Sequence, residues 1–272
     1  MSTPQGLAPI LKIARYTITD HARQKSFIVM VLVGCAFVFF TRSCYHGDYL
    51  VNGRMMGPGA MAGIFAKMSF HSIAFAMMVL AALLAMRAFR YDRDHGMQAC
   101  IMAKPITRAQ YVLGKILGIW TLALACMFVL HGTVFCLMAL RGKVFMPVFL
   151  ASSVLCSLNL LAVIVGVLLL SLFLPDFVAF MAAMAAILTS YVSHGVHALN
   201  QSRMLESIMR PQGAGESTDV TASTVIYYLW PKLSELQIAA ASLIDPGGSC
   251  GWGEIYPFLN VIAYGLVLTA LL

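Results

Sequence analysis

Charge is what this chain has least of. Only 11% of its 272 residues are Asp, Glu, Lys or Arg, against 60% that are hydrophobic. A soluble domain carries about 25% charged residues, so a water-soluble body is excluded. One catalytic signature is missing as well. The sequence contains no H-E-x-x-H pair for a zinc protease, so that hydrolytic chemistry is not encoded in its usual form. It also contains no G-x-x-x-x-G-K-[ST] loop. ATP binding by a cradle of loop amides is thereby excluded.

What the chain has is apolar runs. A bilayer's hydrocarbon core is about 30 Å thick and takes about 20 apolar residues to cross as a helix. Six runs qualify: about 26–41, 70–89, 116–140, 148–174, 177–193 and 256–272. Lipid offers no partner to an unpaired backbone group, so all six are expected to be helical. The expected fold is an all-α polytopic membrane protein forming one transmembrane domain over 1–272. The first run is preceded by some 25 residues with a helical pattern of their own and is followed by no convincing cleavage site. It therefore reads as an uncleaved span. The last run ends at Leu272 without a basic tail, which implies a short sixth span or further residues beyond it.

Ahead of the first span, Leu7, Ile10, Leu11, Ala14 and Ile18 fall on one helical face, and Lys12, Arg15, Thr19 and Arg23 lie largely elsewhere. The pattern predicts an amphipathic interfacial helix; a plain extension of the span is the alternative. Basic residues concentrate before the first span (Lys12, Arg15, Arg23, Lys25) and between the second and third (Arg87, Arg90, Arg93, Lys104, Arg108, Lys115). Both segments, and the N-terminus, are expected to be cytoplasmic. The connection 194–255 holds six of the eleven acidic residues and reads as external. The net charge of +7 then reflects orientation, and nucleic acid need not be invoked.

The segment 91–108 stands out between apolar spans. Asp92 and Asp94 suit a helix N-terminus, a short helix over about 95–103 would pair Met97 with Ile101 at i,i+4, and Pro105 stops it. Thr107-Arg-Ala-Gln110 has capping-box spacing and restarts a helix into the third span. The result is an apolar knob with a charged rim, suited either to docking in a partner's groove or simply to setting topology.

Other residues admit two readings each. His131 is the only histidine deep in a span, and Asn159 lies in the fourth. Polar groups there are pathway candidates, or they bond a neighbouring helix. One central histidine does not supply matched axial haem ligands, so no cofactor and no metal are expected. Eighteen methionines, including Met55, Met56, Met61 and Met68, fit soft-metal handling or flexible apolar filling. Ala179, Ala182, Ala183 and Ala186 offer a small-residue face for a dimer seam or for internal packing. Cys44 and Cys250 are the only cysteines expected outside, where thiols tend to pair; Cys35, Cys100, Cys126, Cys136 and Cys156 should stay reduced. A metal- or electron-handling membrane subunit, or an intramembrane enzyme, are the competing functional classes.

The central segment resembles the cytoplasmic signature of type-2 ABC-transporter permeases. In that family an acidic-x-acidic-x-Gly run precedes a "pisR…lGK" stretch; here they are Asp92-Arg-Asp94-His-Gly96, then Pro105-Ile-Thr-Arg108 and Leu113-Gly114-Lys115. Asp stands where Glu is usual, and Met97 where Thr is usual. The order of elements fits too, down to Tyr227–Leu233 ("YYLWPKL") before the last span. The resemblance implies a coupling helix seated in a separate ATPase subunit, carried by Asp92, Arg93, Asp94, Gly96, Met97, Ile101, Pro105 and Arg108. It further implies a second permease copy, a pathway between the two, export or extraction of lipid-like material, and a bacterial inner-membrane location. The external segment would be a re-entrant or interfacial helix pair broken at Pro231. Some relatives serve multicopper-enzyme maturation, which keeps the metal-related alternative open.

Overall fold

A computed structural model of the chain describes residues 7–41, 49–51, 54–56, 58–94, 96, 103, 106–141, 147–201, 227, 230–244 and 252–272. Among them the helices are α1 (Leu7–Ala22), α2 (Lys25–Thr41), α3 (Pro58–Met86), α4 (Ala88–Asp94), α5 (Arg108–Arg141), α6 (Val148–Phe173), α7 (Asp176–Gln201), α8 (Leu233–Ser242) and α9 (Trp252–Leu271). One antiparallel hairpin joins β1 (Tyr49–Val51) to β2 (Arg54–Met56), with Leu50 opposite Met55. An all-α expectation missed it, although Asn52-Gly53 between the strands is the strongest short hairpin signal.

Among the described residues four helical stretches are long and apolar enough to cross a membrane: α3 running into α4, α5, α6 and α7. The pair α1–α2, bent by 72°, makes a fifth if taken as one span, and α9 is a shorter apolar helix. The helix of the expected second span, α3, starts at Pro58, well before 70, so Met61, Lys67 and Met68 sit on it. The fifth begins at Arg108 and not at 116, because Lys115, which breaks the apolar run, is buried against a counter-charge. At 34 residues α5 is about 50 Å long, so its first turns stand beyond the apolar core.

α6 is the hub, buried along Cys156, Leu160, Ile164, Val165 and Leu168 and packed by α3, α5, α7, α8 and α9. α1 docks on the first turns of α5. The contact face is Ile13, Ala14, Thr17 and His21, rotated from the expected stripe, and Leu7 and Leu11 remain exposed. Two glycines decide this. A Cβ at Gly114 would lie 2.7 Å from the Ile13 Cβ, and one at Gly118 would lie 2.7 Å from the Thr17 Cβ, so only glycine lets the two helices approach. On α7 the inward face is Ala179, Ala183, Ile187 and Ser190, which resolves the alanine face as internal packing at those positions.

Candidate functional site

At one end of the bundle, α4 stops where Gly96 takes φ +66 and its N–H reaches the Arg93 carbonyl at 3.1 Å. Glycine suits that left-handed position. Asp92 and Asp94 therefore sit in the last turn of a helix rather than at the start of a new one. They also part company. Arg93, Asp94 and Arg108 are exposed, whereas Asp92 is fully buried and Lys115 is 1% exposed. The Lys115 ammonium donates to Asp92 Oδ2 at 2.8 Å, and the Tyr111 hydroxyl donates to the same oxygen at 2.6 Å. The Tyr16 ring of α1 faces the ammonium at 5.4 Å. Burial, and then the Lys115 charge, hold the His21 imidazole of α1 below its ordinary range.

Both ends of the 91–108 segment are thus tied to each other and to α1. The expected capping box is present: the Thr107 N–H donates to Gln110 Oε1 at 3.1 Å, and the Gln110 N–H to Thr107 Oγ1 at 3.3 Å. Arg90 reaches Asp176 at 3.6 Å, placing the Pro175-Asp176 turn on this same side. Met97, Ile101 and Pro105, the body of the expected short helix, lie outside the described residues. Sequence reading missed Lys115, Tyr111 and Tyr16 as a unit. The signal was a lysine inside an apolar run, 23 positions after an aspartate, which in a membrane protein calls for a partner.

His131 is enclosed rather than open to a passage. Its ring stacks on Phe70 at 4.8 Å, meets Phe149 edge-on at 5.4 Å, and bonds Ser153 Oγ through Nδ1 at 2.8 Å. Asn159 donates its amide to the Leu233 carbonyl at 2.8 Å. That bond belongs to the other end of the bundle, where α8 enters among the spans. There Ser190 donates to the Pro231 carbonyl at 3.0 Å, and Trp230 to the Ala186 carbonyl at 3.0 Å. Gln237 donates to the His71 carbonyl at 3.0 Å and accepts from Tyr191. Asn159 lies 11 residues into α6, so this break sits about 16 Å from that helix's start. α8 thus starts two residues after Pro231 and packs against α6 and α7.

Beside the break, Lys232 donates to Glu235 at 2.8 Å, and His194 Nδ1 lies 3.6 Å from the same carboxylate. Burial alone would raise the Glu235 carboxyl. The Lys232 and Tyr227 hydrogen bonds and the nearby Lys232 and His194 charges outweigh it and bring the group below its ordinary range. Cys44 and Cys250 lie outside the described residues, while Cys35, Cys126, Cys136 and Cys156 are free thiols. Among the described residues no group of three His, Cys, Asp or Glu could hold a metal ion. An open apolar groove of about 590 Å³ runs between α2 and α5, lined by Cys35, Phe39, Val129 and Leu140.

These features define an integral, multi-pass membrane protein. The chain belongs to the ABC-2 family of transporter proteins, whose family model matches residues 54–213, more than half of its length. It is an ABC-2 type permease, a membrane component of transport. A comparison with curated proteins returned no match.

Proposed function

We propose that this permease forms its translocation pathway as a pair and is driven by a separate ATPase subunit, which engages the 91–108 segment and powers export. The six spans of this reading are α2, α3 with α4, α5, α6, α7 and α9, in a bacterial inner membrane with the N-terminus cytoplasmic. The observation that carries it is the buried Asp92–Lys115–Tyr111 knot. It closes the segment at its base against α1 and α5, so a push on the segment moves spans rather than bending a loop. The side assignment is supported by α1, the 91–108 segment and the Pro175-Asp176 turn sharing one end, the end where basic residues concentrate. No described residue cluster favours a metal-handling subunit or an intramembrane enzyme.

The test is Met97→Asp in the permease reconstituted with its ATPase. A desolvated unpaired charge is costly at an interface. The variant should insert and pair normally, yet lose ATPase binding and substrate-stimulated hydrolysis together. Wild-type values for both would reduce the segment to a topogenic loop.

A further inference from the structure

A buried ammonium needs a counter-charge or a π face, because it gives up its hydration. Lys232, 5% exposed, has both. Its Nζ lies 2.8 Å from Glu235 Oε1, 3.5 Å from the centre of the Tyr227 ring and 5.4 Å from that of Tyr256. Tyr227 is held in place by His197, stacked on it at 3.7 Å. Aromatic faces and a carboxylate around one cation are the general means of recognising organic ammonium groups.

This box is one of several pegs for the turn at Pro231. Asn159, Ser190 and Trp230 already hold the turn, and the Lys232 backbone N–H donates to Asn260 at 3.1 Å. A well-packed apolar side chain is often as stable as a buried ion pair. The site also has slack. Ser193 Oγ and His194 Nδ1 beside it have no hydrogen-bond partner, and a cavity of about 10 Å³ remains, roughly one water's worth. On the other side Tyr256 is 47% exposed, and Leu259, Ile262 and Leu266 continue from it as an exposed apolar lane on α9.

We propose that Tyr227, Tyr256 and Glu235 form a binding site for an organic ammonium head group, filled in this conformation by Lys232 as a tethered occupant. An incoming ammonium takes the Lys232 position, and an attached alkyl chain lies along the α9 lane. All four residues lie beyond residue 213, outside the family match. The site does not depend on the coupling reading. A tethered competitor acts at high effective concentration, so the wild type masks an affinity that removing the amine exposes.

The full chain in phosphatidylglycerol nanodiscs, which contain no ammonium lipid, is titrated calorimetrically with tetramethylammonium and dodecyltrimethylammonium. Lys232→Met keeps the side-chain bulk and the backbone bond to Asn260. It should bind dodecyltrimethylammonium at least tenfold more tightly than wild type, and adding Glu235→Gln or Tyr227→Leu should cancel the gain. Equal gains for both ligands assign recognition to a free head group; a gain for the dodecyl compound alone assigns it to a membrane-borne amphiphile. No gain in Lys232→Met, or a gain that survives Glu235→Gln, overturns the site. A second readout needs no variant: saturating dodecyltrimethylammonium should release Lys232 to an amine-acetylating reagent, read by peptide mass. Unchanged acetylation also overturns it.

Discussion

Asp92 and Lys115 answer each other's burial by pairing at 2.8 Å. A carboxylate and an ammonium taken out of water recover the loss only when paired and hydrogen-bonded, and Tyr111 supplies the added bond. Asp92→Asn or Lys115→Met alone should destabilise the bundle by about 3–5 kcal/mol, since each strands the other partner. The double variant should recover most of the thermal stability of detergent-solubilised protein. Its ATPase coupling should stay impaired, because it lacks the tie between segment and spans. Glu235 gives a pH signature at the other end. Its folded-state affinity for protons is reduced below the ordinary value of 4.5, so its contribution to docking is full above that value and is lost as pH falls through the lowered one. Acrylamide quenching of Trp230 should rise on acidification through that lowered value, and Glu235→Gln should show the raised quenching already at neutral pH.

At the scale of elements, α1 on α5 is fixed by shape. Gly118→Val would push a Cβ to 2.7 Å from the Thr17 Cβ and 2.8 Å from the Ala14 carbonyl. Overpacking of this kind costs about 1–3 kcal/mol and should lift α1. A Thr17→Cys reporter, buried in the parent, should then react faster with maleimide. Gly132→Ala is the control, since its Cβ would meet nothing within 4 Å. Thr107→Ala removes one half of the capping box and should cost about 1 kcal/mol, read as a lower melting temperature. The cap was legible in sequence because it is local, and so were the runs that became α2, α6 and α7. The contact face of α1 was not. Its hydrophobic stripe includes Leu7 and Leu11, which stay exposed, and the packed face includes Thr17 and His21, which no polarity rule assigns inward. That choice is made by Gly114 and Gly118, a hundred residues away. Lys115 ended the expected third span for the same reason: a charge looks like a boundary until its partner is known.

At the scale of the whole molecule, two polar clusters sit at opposite ends of an apolar bundle, and α6 touches elements belonging to both. The knot of α1, α4 and α5 gathers the basic end, and α8 lies toward the other. A movement imposed at the 91–108 segment therefore has a packed route, through α5 and α6, to the break at Pro231. The proposed function requires that the segment face the cytoplasm and touch an ATP-hydrolysing partner. The most direct measurement is a benzophenone amino acid at Met97, photolysed in intact cells of the native host, with the adduct identified by peptide sequencing. A single major adduct to a polypeptide bearing a G-x-x-x-x-G-K-[ST] loop is expected, lost when Asp92→Lys breaks the knot beneath it. An adduct only to lipid or to extracytoplasmic proteins would contradict the proposed function.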